Sequence, residues 1–100
     1  MSKLNEGRVA IVTGGARGIG REHCLALASE GAKVVVNDLG GDVAGEGVDT
    51  TPAQQVVEEI EAMGREAVVN GANVANYAQA QGLVQQAVDT FGGLDIVVNN

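Results

Sequence analysis

Cysteine is nearly missing from this sequence. Cys24 stands alone among 100 residues, so no intrachain disulfide can close and no zinc site built on cysteine can form. No metal centre is expected, and the single thiol suits a reducing compartment. Basic residues are also few: six Lys and Arg face 13 Asp and Glu, giving a formal charge of −7. That balance disfavours nucleic acid and anionic membrane as partners, since both need clustered cations. It leaves open an anionic ligand held by backbone N–H groups. Also absent is any apolar run near the ~20 residues that cross a bilayer, and Met1–Glu6 lacks a signal peptide's apolar core. A chain of this length makes at most one small domain. The expectation is a soluble, cytoplasmic protein.

What the sequence does hold is a regular alternation. Four short runs, Val9–Val12, Val34–Val36, Ala67–Val69 and Ile96–Val98, are apolar, rich in β-branched residues and continuous. Continuous runs of this kind suit strands covered on both faces. Three helical stretches lie between them, which argues for a parallel sheet with right-handed crossovers. The first is expected from about Gly18 to Glu30, stopping at Gly31, with Ile19, Ala26 and Leu27 facing the sheet. The second starts at Thr51 as N-cap, with Pro52 at N1 and Gln54 completing a capping box. Val56, Val57, Ile60 and Met63 follow at helical spacing before Gly64. Glu58, Glu59 and Glu61 make a solvated face. The third begins near Asn76 and presents Ala80, Val84, Ala87, Val88 and Phe91 on one side. Leu39–Thr50, with four glycines and three acids, is expected to be a long surface loop.

The glycines concentrate where chemistry is expected. Thr13-Gly14-Gly15-Ala16-Arg17-Gly18-Ile19-Gly20 follows the first run and opens the first helix. There the free N–H groups of a helical first turn, helped by the helix dipole, form a site for a pyrophosphate. Gly14 makes the tight turn, Gly18 lets a phosphate approach the backbone, and Gly20 lets the helix pack closely on the strand. Asp38 ends the second run, 18 residues after Gly20, where a carboxylate can accept from both hydroxyls of an adenosine ribose. A 2′-phosphate there would meet a like charge. At ~4 Å and an effective dielectric of ~20, the repulsion is several kcal/mol. NAD is therefore favoured over NADP, although Arg17 in the glycine turn would offset part of that charge. His23 and Cys24 have no partners of catalytic type and read as packing or partly exposed helix residues. Glu22 has Arg21 or Arg17 as a possible ion-pair partner.

Thr13–Gly20 resembles the TGxxxGxG motif of the short-chain dehydrogenase/reductase family. Asn73-Val74 lies where that family usually has Asp-Val, and Leu94-Asp95-Ile96-Val97-Val98-Asn99-Asn100 resembles the run into its NNAG motif. The resemblance spans the whole chain. It implies a Rossmann-type doubly wound parallel α/β sheet with strands in the order 3-2-1-4. It also implies that residues 1–100 are the N-terminal part of a single dinucleotide-binding domain. By resemblance, Gly14, Arg17, Gly18, Ile19 and Gly20 line the pyrophosphate and the nicotinamide side. Asp38 holds the adenine ribose with Leu39 beside it, Asn73 reaches the adenine amino group and Val74 lies along the ring. Asn100 sits near the nicotinamide ribose, and Asn99 ties neighbouring strands together. Asn37–Asp42 and the loop after it also resemble the dehydrogenase part of peroxisomal multifunctional enzymes acting on 3-hydroxyacyl-CoA, though members with unrelated substrates share such a loop.

The family's chemistry uses a Ser, a Tyr and a Lys four residues after that Tyr, the Tyr acting as general acid/base. Here the one tyrosine is Tyr77, Gln81 stands four residues on, and the lysines are Lys3 and Lys33. No catalytic residue is therefore assigned. The fourth run is expected to leave a long apolar strand edge, as in a truncated domain. The function implied is NAD-dependent interconversion of a secondary alcohol and a ketone, with a homo-oligomer implied by resemblance alone. Two other readings remain open. One is a module that senses NAD(H) without turning it over. The other is an S-adenosylmethionine-dependent methyltransferase, against which Thr13 and the spacing of Gly14 and Gly18 count.

Overall fold

The computed structural model describes residues 7–38 and 51–99, Thr51 by its backbone alone. Strands and helices alternate as β1 (Val9–Thr13), α1 (Gly18–Ser29), β2 (Lys33–Asn37), α2 (Thr51–Ala62), β3 (Ala67–Asn70), α3 (Tyr77–Phe91) and β4 (Ile96–Val98). The strands make one parallel sheet in the order β3-β2-β1-β4. Helices α1 and α2 cover one face and α3 the other. This is the Rossmann-type arrangement that the alternation and the resemblance imply.

The two central strands are built from side chains that tolerate cover on both sides. All five residues of β1 are buried, and so are Val34–Asn37 of β2. One face gives Val12, Val34 and Val36 to a core shared with Cys24, Val56 and Ile60. The other gives Val9, Ile11 and Val35 to a core with Leu83 and Ala87. Burying each large aliphatic side chain contributes about 1.5–3 kcal/mol. The open edge at β4 is only three residues long, shorter than expected, with Val97 58% exposed. Its entry is fixed by Asp95, whose N–H donates to the Val9 carbonyl and whose carboxylate accepts from the Val9 N–H, both at 2.9 Å.

The helices end as their glycines suggest. After α1, Gly31 takes φ +100° and donates to Ala28 O, while Ala32 N–H reaches Leu27 O. After α2, Gly64 takes φ +80°, and the same pair of bonds joins Gly64 to Glu61 O and Arg65 to Ile60 O. Both are Schellman closures, with glycine supplying the left-handed residue. At the start of α3, Asn76 accepts from Gln79 N–H at 3.0 Å, the cap that such a residue offers. The proposed capping box at Thr51 and the loop Leu39–Thr50 lie outside the described side chains and residues.

The helix faces differ from expectation. On α1 the buried stripe is Gly20, Cys24 and Ala28. Ile19 is 71% exposed and Ala26 is also exposed, while Leu27 packs half-buried at the edge of the core. Small residues at four-residue spacing let α1 lie close to the sheet, and that close approach outweighs the size of Ile19. On α2, Ala53, Val56, Val57 and Ile60 are buried, but Met63 is past the last helical turn and 42% exposed. On α3 the buried residues are Leu83 and Ala87, with Phe91 packed beside them, whereas Val84 and Val88 face outward. The stripe is rotated by about one residue from the expected one.

Candidate nucleotide site

The carboxyl ends of the strands carry the site. Register pairs Thr13 with Asn37 and Asn37 with Asn70, so three polar side chains end the three neighbouring strands in one row. Beyond β1 the chain enters the glycine turn. Gly14 takes φ +63° and Gly18 φ +56°, left-handed conformations that glycine adopts without a Cβ penalty. Gly15 donates to Asn37 O at 3.0 Å, so the turn stays bound to the end of β2.

Gly15 also has a steric task that its sequence position does not advertise. A Cβ there would lie 2.9 Å from Cys24 Sγ and 3.1 Å from both Val12 O and Val36 Cγ1. Close packing of the turn on α1 therefore falls to Gly15, in addition to the role expected of Gly20, which is buried in the first turn of the helix. Cys24 sits fully buried beneath the turn, and its thiol donates to Gly15 O at 3.6 Å. Burial pushes the thiol pKa up to about 12 because a thiolate would be desolvated there.

Helix α1 starts at Gly18, with Arg17 as an extended N-cap residue and no side-chain cap. Its first-turn N–H groups are thus not satisfied by a capping side chain, the local condition for an anion site. Asp38, half-buried at the tip of β2, turns one carboxylate oxygen onto Ala16 N–H at 3.1 Å. Its own N–H donates to Asn70 O. The expected ribose acid is thereby tied to the expected phosphate turn.

Gly14, Asp38, Asn73 and Val74 line one cleft of about 230 Å³, together with Thr13, Asn37 and Ala72. A larger open depression, about 440 Å³, runs along α3 beside Tyr77, Ala80 and Val84. We favour the smaller cleft because it joins the glycine turn to Asp38. Of the other expected residues, Ile19 is exposed on the first turn of α1 and Gly20 lies beneath it. Leu39 and Asn100 fall outside the described residues. Asn73 also serves its own loop. Its side-chain oxygen accepts from Ala75 N–H at 2.9 Å, closing a local turn, while its N–H donates to Gln79 Oε1 at 2.7 Å. Asn99 accepts from Thr13 Oγ1 at 3.3 Å, and the same hydroxyl reaches Val98 O, so Asn99 does bridge the first and fourth strands.

Other expectations resolve simply. Arg21 pairs with Glu22 at 3.5 Å and with Glu59 on α2, so Glu59 is not merely solvated. Such part-exposed pairs contribute little, about 0–1 kcal/mol. Tyr77 OH accepts from Gln81 Nε2 at 3.1 Å on the surface of α3, and Tyr77 does not line the cleft. The sequence alone does not mark Thr13, Asn37 and Asn70 as a group. A signal is present all the same: the apolar runs Val34–Val36 and Ala67–Val69 are each followed by Asn.

A family model described as short chain dehydrogenase matches residues 8–100. The chain is 50% identical over 93 residues to peroxisomal multifunctional enzyme A of Dictyostelium discoideum, covering 93% of this chain and 20% of that protein. Among solved structures, a short chain dehydrogenase from Mycobacterium avium superposes with a TM-score of 0.86 at 57% identity, covering 97% of this chain and 34% of that one. A 7α-hydroxysteroid dehydrogenase solved with NADH and 7-oxo glycochenodeoxycholic acid gives 0.84 at 32% identity, covering 99% and 35%. The chain thus spans between a fifth and about a third of the length of these proteins.

Proposed function

The chain belongs to the short-chain dehydrogenase family, and from that premise we propose that it forms the cofactor-binding part of an NAD-dependent oxidoreductase. The reaction is interconversion of a secondary alcohol and a ketone. One observation carries the proposal: the glycine turn before α1 is hydrogen-bonded to Asp38 through Ala16 N–H, and Gly14 and Asp38 line a single cleft. The residues fit a dinucleotide. Backbone N–H groups around Arg17–Ile19 would hold a pyrophosphate, and the Asp38 carboxylate would accept from the adenosine ribose. Val74 and Asn73 flank the adenine, with Leu39 and Asn100 as further contacts. The Asn73 oxygen already serves Ala75 N–H, so its second lone pair would be the one to accept from the adenine amine.

When bound, NAD supplies a hydride acceptor at its nicotinamide ring. This chain's residues bind and orient it; the Tyr and Lys of the family pattern are not among them, since Gln81 follows Tyr77 at the Lys spacing. Small alcohols and ketones are the substrates proposed, and a homo-oligomer rests on resemblance alone. Among the described residues no helix is long and apolar enough to cross a membrane. Cytoplasmic residence is proposed, with a peroxisomal address as the alternative that the Dictyostelium relative's name raises.

Calorimetric titration of the full chain with NAD, NADP and S-adenosylmethionine tests the reading. NAD is expected to bind most tightly. A preference for NADP would overturn the weight given to Asp38 over Arg17, and binding of S-adenosylmethionine alone would overturn the class. Turnover of secondary alcohols by these 100 residues alone would overturn the view that the residues doing the chemistry are not among them.

A further inference from the structure

One wall of the cleft is held by side chains that no motif assigns. Asn37, only 3% exposed, donates from Nδ2 to Asn70 Oδ1 at 2.9 Å and to Ala72 O at 3.0 Å. Asn70 Oδ1 also accepts from Ala72 N–H at 2.7 Å. Asn70 Nδ2 donates to Gln86 Oε1 on α3 at 2.6 Å, and Gln86 Nε2 returns to Val69 O at 3.2 Å. Both backbone groups of Ala72 are thus held by side chains from two neighbouring strands, and Ala72 opens the segment Ala72–Val74 that walls the cleft.

The amide orientations follow from the backbone. Ala72 N–H can bond only to an oxygen, which fixes Asn70 Oδ1. Ala72 C=O needs a donor, which fixes Asn37 Nδ2. Asn70 must then present its nitrogen to Gln86, and the Val69 carbonyl requires the Gln86 nitrogen. One polarity satisfies every member, so the chain of amides is a closed, directional clamp. Side chains from two strands converge on Ala72, and a helix residue, Gln86, fixes the second of them, Asn70.

We propose that Asn37, Asn70 and Gln86 are positioning residues that act through Ala72 to set the adenine-facing wall of the cleft. The proposal rests on the dinucleotide reading above. It makes Gln86, which does not itself line the cleft, a determinant of cofactor affinity. A loosened wall forfeits the preorganised geometry on which tight binding depends.

The test uses the full chain and three variants: Asn70→Ala, Gln86→Leu and, as a surface control on the same helix, Gln85→Leu. Two measurements are made, amide hydrogen exchange across Gly71–Val74 without ligand, and calorimetric titration with AMP and NAD. Asn70→Ala is expected to speed exchange at Ala72 and weaken AMP and NAD alike by roughly tenfold. Gln86→Leu should do the same to a lesser degree, and Gln85→Leu should match the parent. If Asn70→Ala fails to fold, the milder Gln86→Leu and Asn70→Asp carry the test. The aspartate keeps the bonds to Ala72 and Asn37 and turns an acceptor onto Gln86 Oε1, so it should resemble Gln86→Leu. Unchanged exchange at Ala72, or faster exchange with parental AMP affinity, overturns the positioning role. A parent chain that binds neither AMP nor NAD overturns the dinucleotide reading itself, and that result is distinct because it appears before any variant is made.

Discussion

Replacing Gly15 by alanine would test the claim that the glycine turn is pressed against α1. The new Cβ would sit 2.9 Å from Cys24 Sγ, closer than real Cβ contacts come, and 3.1 Å from Val12 O and Val36 Cγ1. Cys24 and Val36 are fully buried, and Val12 O belongs to a central strand, so none of the three can swing into solvent. Overpacking of this kind costs about 1–3 kcal/mol. Gly15 does not take a left-handed φ, so alanine would also reduce unfolded-state entropy and return about 0.4–1 kcal/mol. A net destabilisation of about 1–2 kcal/mol is expected, read as a lower midpoint in urea unfolding at unchanged slope. Two companions sharpen the reasoning. Gly18→Ala meets nothing within 4 Å but keeps φ +56°, so it should cost only the left-handed strain, about 1–2 kcal/mol. Gly15→Ala combined with Cys24→Ala removes the sulfur contact but leaves Val12 O, so partial rescue is expected, with a coupling of at least about 0.5 kcal/mol. Parental stability of Gly15→Ala, or strict additivity in the double variant, would refute the packing argument.

Asp38→Asn retains an oxygen for Ala16 N–H, so the turn should stay intact while the negative charge beside the ribose is lost. Titration should show the NAD-over-NADP preference falling by tenfold or more, and an unchanged preference would remove Asp38 from the specificity argument. The buried thiol predicts a pH effect of defined sign. Cys24 has its pKa raised from 9.0 to about 12, so the folded state holds this proton where the unfolded state releases it. Its contribution is fully present below pH 9 and is lost as pH rises toward 12, at about 1.4 kcal/mol per pH unit at most. Cys24→Ala should flatten urea stability measured from pH 8.5 to 10.5, and an identical slope in parent and variant would contradict the burial.

Much of the fold was legible because its signals are local. Strand order aside, the β-branched runs, the glycine closures at Gly31 and Gly64 and the cap at Asn76 all act within a few residues of themselves. The helix faces were less legible. On α1, Ile19 is more apolar than Cys24 or Ala28, yet the smaller residues are buried because the helix must approach the sheet closely. On α3, Leu83 rather than Val84 meets β1 and β2, a choice set by the helix's roll on the sheet. Hydrophobicity along one element cannot report the shape of the element it packs against.

The site divides along the same line. Gly14, Gly18 and Asp38 are legible because backbone conformation and strand-end position follow from a short motif. Asn37, Asn70 and Gln86 are not, because their meaning depends on register: Asn37 pairs with Asn70 only when β2 and β3 align as Val34 with Ala67. A slip of one residue would turn one asparagine to the opposite face and break the clamp on Ala72. The same in-register pairing places Thr13 beside Asn37. The β-branched cores of the strands therefore also align their polar ends, and the cleft wall depends on core packing through that alignment. Substitutions that disturb the register of β3, though far from any expected cofactor contact, should loosen the wall before they unfold the sheet.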